Sequence, residues 1–168
     1  RWGRCWRSGN RARTAGADWL SLALIDARNR TLRWLAAFED SPIGPRVGAE
    51  GLPPALWLAG HAAWCADWWI VRQVTAQRGE DIDPGRPRLA PADPMSDTAF
   101  HADRRAGAAA LKLPTPDAVR AWMADTLEAT LELLAAAASD ERALYIYRQV
   151  LRHEDRLVET LAVLAQAL

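Results

Sequence analysis

Two stretches of helical period each carry a histidine on an otherwise apolar stripe, and they constrain the fold more than anything else in the chain. In the first, Trp57, His61, Trp64 and Trp68 recur at helical spacing within residues 54–69. In the second, Ile146, Val150, His153, Leu157 and Leu164 do the same. Residues three and four apart share a helix face, so each imidazole sits among core positions rather than on a solvated face. Burying the two stripes against each other brings both rings into one interior, where helical bundles build metal and cofactor sites.

The rest of the pattern is also helical. A first helix is expected over about 18–39, with Asp18 as N-cap and Leu22, Ile25, Leu32, Leu35 and Phe38 on its apolar face. Residues 41–54 are rich in proline and glycine and form a loop. Helix two opens at Pro53-Pro54 and is expected to reach about Gln77. Residues 79–94 hold four prolines without apolar period and read as an irregular crossover, with a short helical piece after Ser96. Helix three starts at Pro116 with Thr115 as cap, and Val119, Trp122, Met123, Leu127, Thr130, Leu131 and Leu134 supply its core face. Ser139 or Asp140 caps helix four, which carries Leu144, Tyr147, Leu151, Leu161 and Leu164 nearly to the end. No strand alternation is evident. The expected fold is all-α, an antiparallel four-helix bundle with a long crossover between helices two and three.

Size and charge narrow the function classes. A chain of 168 residues suits one domain with one core. Lysine plus arginine (21) equals aspartate plus glutamate (21), so net charge points to no nucleic acid and no membrane partner. No apolar run is long enough to span a bilayer. Cys65 lies on the helical stripe and Cys5 in a basic tail, so no disulfide is expected and a cytoplasmic location fits. Residues 1–17, with five arginines in the first sixteen positions, read as a disordered or non-native basic extension, and 18–168 as the folded domain.

His61 and His153 are the candidate metal ligands. A third donor is usually found one helical turn away. After His153 that position is Leu157, and the position before it is Arg156; neither can ligate. Cys65, four residues after His61, and His101, in the crossover, are the only weak substitutes. Each residue has a plainer reading. A histidine on an apolar stripe is usually a hydrogen-bonded core residue, and the tryptophans are usually packing. Cys65 reads as a small buried hydrophobe and His101 as a loop residue. The charged stretch from Arg148 to Glu159 reads as the solvated face of the last helix. No Gly-rich phosphate loop, Cys-x-x-Cys pair or nucleophile elbow is found.

Residues 56–64, Leu-Trp-Leu-Ala-Gly-His-Ala-Ala-Trp, followed by Ala66-Asp67-Trp68-Trp69-Ile70, resemble the second helix of a known family. This is the DinB-like N-terminal domain of the ergothioneine and selenoneine synthases. Leu144-Tyr145, His153-Glu154-Asp155, Glu159 and Leu161 resemble its last helix. Ser96-Asp97, His101, Arg104 and Leu113-Pro114 echo its crossover, and residues 26–32 its first helix. The resemblance covers about 18–168 and implies a four-helix bundle giving three histidines to a non-haem iron. His61 and His153 match two of them, and the third falls on Leu157. It further implies an oxidoreductase forming carbon–sulfur or carbon–selenium bonds on an imidazole substrate with a thiol or selenium donor. In the family a C-terminal domain completes the active site, and this chain stops at Leu168, about where that domain would begin. The expectation is therefore a truncated or degenerate copy with an incomplete site, its Fe(II) weakened or lost and Zn(II) an alternative ion. Two rival readings stand beside it. One is a non-catalytic bundle that dimerises or binds a partner through an aromatic patch, since Trp68 and Trp69 lie about 100° apart round the helix. The other is a stand-alone DinB-like metal- and thiol-dependent transferase.

Overall fold

The computed structural model describes residues 16–73, 85, 87–137 and 141–168. The basic segment up to residue 15, Cys5, Gln77, Ser139 and Asp140 lie outside the described residues, and so do the expectations placed on them.

The elements are helical, and the described residues form no strand. They run α1 (Ala17–Glu39), α2 (Ala55–Ala66), α3 (Met95–Phe100), α4 (Pro116–Ala136) and α5 (Leu144–Ala167). A π-helical turn, Asp67–Val71, continues α2, and a 3₁₀-helix, Ala102–Ala110, follows α3. α1 packs on α5 and α4, and α2 packs on α4, α5 and α1. The short α3 lies against α2. No helix among the described residues is long and apolar enough to cross a membrane.

α2 is buried along its whole length, from Ala55 to Ala66. Its residues are almost all apolar, and a helix apolar on every side finds its partners only in an interior. The chain enters it from a loop whose turns use positive φ at Gly44 and Gly51. Its far end departs from the expected continuous helix: the Arg72 N–H donates to the Asp67 carbonyl at 2.9 Å, a five-residue step that widens the last turn.

α1 corrects the expected core face. Leu22 is 68% exposed and Ile25 is 37% exposed, whereas Leu20, Leu24, Ala27, Arg28, Thr31, Leu35 and Phe38 are buried. A hydrophobicity count favours the two exposed residues because the true inner face contains an alanine and two polar side chains. Those polar groups are accommodated by bonds to other helices. Arg28 Nε donates to Glu154 Oε1 at 2.8 Å, and its Nη1 donates to the Met123 carbonyl at 2.6 Å. The Thr31 hydroxyl donates to Glu154 Oε1 at 3.1 Å. Asp18 is not the N-cap either. The helix begins at Ala17 after extended Gly16, which leaves Asp18 in the first turn, a favourable place for a negative charge.

The other helices keep closer to expectation. The Thr115 hydroxyl accepts from the Ala118 N–H at 3.2 Å, with Pro116 opening α4. Val119, Met123, Thr130 and Leu134 are buried, with Trp122, Leu127 and Leu131 half-buried beside them. On α5, Arg148 and Glu154 are buried, so the stretch from Arg148 to Glu159 is not a purely solvated face. The side chains of Arg28 and Glu154 are 3% and 2% exposed and link α1 to α5 beside the α4 backbone. Removing one member of a buried pair strands the other charge. Glu154→Leu is expected to lower unfolding free energy by about 3–5 kcal/mol in urea titration. The double change Arg28→Met with Glu154→Leu is expected to cost clearly less than Glu154→Leu alone; an equal or greater loss would show that the charges are not stranding one another.

Candidate functional site

The site begins with one face of α2 bonded, residue after residue, to the α3 segment. Trp57 Nε1 donates to the Ala99 carbonyl at 2.9 Å. His61 lies 2.7 Å from the Phe100 carbonyl through Nδ1, and Trp64 Nε1 donates to Asp97 Oδ1 at 2.9 Å. A carbonyl only accepts, so Nδ1 of His61 carries the proton and Nε2 keeps its lone pair. Gly60 makes this approach geometrically feasible: a Cβ there would occupy the space of the Phe100 ring.

Stacking then holds the imidazole plane. The ring centroids of Trp57 and His61 are 4.6 Å apart with planes at 13°, and those of His61 and Trp64 are 5.6 Å apart at 11°. Trp68 extends the stack on Trp64. Into its side comes His153 from α5, edge-on to His61 with centroids 5.0 Å apart. The two histidines singled out in the sequence, ninety-odd residues apart, thus meet in one place. His61 is 5% exposed, and His153 is half-buried with a buried Nε2 that has no hydrogen-bond partner.

Burial decides the charge state. Desolvation pushes His61 down to about 4, with the Phe100 hydrogen bond opposing it and the neighbouring His153 reinforcing it. His153 is also lowered, again chiefly by burial. Both imidazoles are therefore neutral at neutral pH, the form that can donate a lone pair to a cation.

The remaining candidates do not complete a donor set. Leu157 is 4% exposed and belongs to the apolar core. Burial, with the Glu154 carboxylate nearby, pushes the Cys65 thiol up to about 12, which keeps it protonated and a poor ligand. The His101 ring packs edge-on against Trp64 and Trp68, and its Nδ1 accepts from the Asp103 N–H at 3.3 Å. No group of three or more histidine, cysteine, aspartate or glutamate side chains suited to a metal ion forms among the described residues.

A second cluster escaped sequence reading. Arg72 holds Asp97 with two bonds, Nη1 to Oδ1 at 2.7 Å and Nη2 to Oδ2 at 3.1 Å, and its Nε donates to the Leu89 carbonyl at 2.7 Å. Its guanidinium lies 4.9 Å from the Trp68 ring centroid. Asp67, pushed up to about 6 by burial against the pull of Arg72, completes the group. It fastens the crossover to the end of α2 and so supports Asp97 under Trp64. The only sequence signal was an Asp and an Arg five residues apart, flanking an apolar turn. Trp68 and Trp69, the pair behind the aromatic-patch reading, are both half-buried, and Trp69 lines a cavity beside α5.

No protein-family model matches this chain, and no curated protein matches it.

The low value for His61 gives a signed expectation for the metal-free protein. The unfolded chain binds a proton near 6.5 and the folded one only near 4, so the unfolded state holds more protons between them. Stability from this group is complete above about 6.5 and is lost as pH falls toward 4, by on the order of 3 kcal/mol. Asp67, raised from 3.8 to about 6, works in the opposite direction over part of the same window. The difference between wild type and His61→Gln isolates the histidine. Urea unfolding at pH 4 to 7 is expected to show that difference growing with pH; a flat difference contradicts the assignment.

Proposed function

We propose that this chain is a DinB-like antiparallel four-helix bundle of the ergothioneine and selenoneine synthase kind, in which the iron centre has been reduced to a two-histidine contact for a divalent ion. The observation that carries this reading is the edge-on meeting of His61 and His153 at 5.0 Å, with the His153 Nε2 buried and unpartnered. The mutual packing of α1, α4, α2 and α5 supports the bundle. The crossover between α2 and α4 supplies the carbonyl that orients His61, which is the role a ligand's outer partner plays at metal sites.

The donor set does not fit a three-histidine iron centre. A buried leucine stands at the third position, the neighbouring thiol is protonated, and His101 is engaged with Asp103 and the tryptophans. Two neutral imidazoles hold Fe(II) or Zn(II) weakly, with water or a small imidazole or thiol ligand filling the remaining positions. Within the carbon–sulfur and carbon–selenium bond-forming oxidoreductases that the sequence resembles, this reading makes the chain a degenerate member.

Leu157 lies one turn after His153, so a histidine there reaches the same face. Leu157→His is expected to bind ferrous iron at least about tenfold more tightly than wild type in anaerobic titration, as a third ligand should. Equal affinities, with the variant folded by circular dichroism, would overturn the reading.

A further inference from the structure

A cavity of about 310 Å³ opens between the end of α2 and the first half of α5, and neither the packing of the core nor the two-histidine contact explains its lining. Its inner surface is Cys65, Val150 and Ile146, all buried and apolar in character. Trp69 and Gln149 line it further out, and His153 reaches it from the stack. Arg152 and Arg156, both exposed, line the same cavity.

The charge arrangement is one-sided. Arg152 and Arg156 are four residues apart on α5, so they are neighbours on its surface and repel each other. The two carboxylates between them on the helix are engaged elsewhere, and exposed Glu159, three residues after Arg156, forms no ion pair among the described residues. Glu154 is bonded to Arg28, and Asp155 Oδ1 lies 2.6 Å from Arg30 Nη2. Among the described residues, neither arginine forms an ion pair. Two guanidinium forks favour a planar anion that can be held by paired hydrogen bonds, which a carboxylate provides. The indole of Trp69 and the side chains of Ile146 and Val150 favour a flat apolar body next to that anion. The volume lies at the lower end of small-molecule sites, enough for one ring and too little for a nucleotide.

We propose that this cavity is a binding site for a small aromatic carboxylate, its carboxylate held by Arg152 and Arg156 and its ring against Trp69. The site needs no metal, because the arginines supply the charge, and it stands or falls separately from the two-histidine reading.

Phenylacetate is the probe, added to the purified chain in the presence of EDTA and followed by calorimetry and by the indole N–H signals in ¹H–¹⁵N spectra. Phenylacetate is expected to bind and to shift the Trp69 signal, and neutral phenylacetamide to bind at least about tenfold more weakly. The double variant Arg152→Gln with Arg156→Gln is expected to lose at least about tenfold in phenylacetate affinity. Both arginines are exposed, so circular dichroism should show the fold retained. Trp69→Ala is expected to weaken phenylacetate while leaving any inorganic phosphate binding unchanged. Unchanged phenylacetate affinity in the double arginine variant, equal binding of phenylacetamide, or tighter binding of inorganic phosphate than of phenylacetate would each overturn the assignment.

Discussion

The hydrogen bond between His61 and the Phe100 carbonyl is the constraint on which the rest of the site depends. It fixes the tautomer, sets the ring between Trp57 and Trp64, and ties the crossover to the most deeply buried helix. The missing side chain at Gly60 creates the space for Phe100 that the bond requires. Trp57 and Trp64 repeat the same attachment one turn to either side, so the imidazole is held by a row of bonds rather than by one. A ring positioned this way, desolvated and neutral, presents a lone pair in a fixed direction.

The opposite side of the site is less restrained. His153 comes from α5, whose placement depends on Glu154, the next residue, and its bonds to Arg28 and Thr31 of α1. One helical residue thus faces the stack while its neighbour, about 100° round, anchors the helix to the other side of the core. That division explains how an apolar stripe and a buried ion pair coexist on adjacent positions. It also leaves the Nε2 of His153 without a partner: the carboxylates of the same turn, Glu154 and Asp155, are bonded to Arg28 and Arg30, and the turn ends in the apolar Leu157.

Much of this was legible in the chain. The stripes containing His61 and His153 identified two buried faces, and the structure brings those faces together. Thr115 and Pro116 marked the start of α4 because capping is local chemistry, readable from a few adjacent residues. What failed to show was long-range. Arg28 and Thr31 are buried because Glu154, more than a hundred residues away, bonds to both, and hydropathy alone therefore rotated the face of α1 toward Leu22 and Ile25. The π-helical turn after Ala66 leads into Arg72, whose side chain reaches Asp97, another partner invisible to a periodicity count. Among the site residues, spacing ties Cys65 to His61 and the crossover carries His101, but burial silences the thiol and Asp103 engages the imidazole.

Two neutral imidazoles from distant helices face one another, with Nδ1 of His61 protonated. Long-range ¹H–¹⁵N correlation spectra of the histidine rings at neutral pH report tautomer and charge for each ring directly. The expected result is a neutral His61 with its proton on Nδ1, a neutral His153, and nuclear Overhauser contacts between the two rings. A proton on Nε2 of His61, or rings that show no contact with each other, would contradict it.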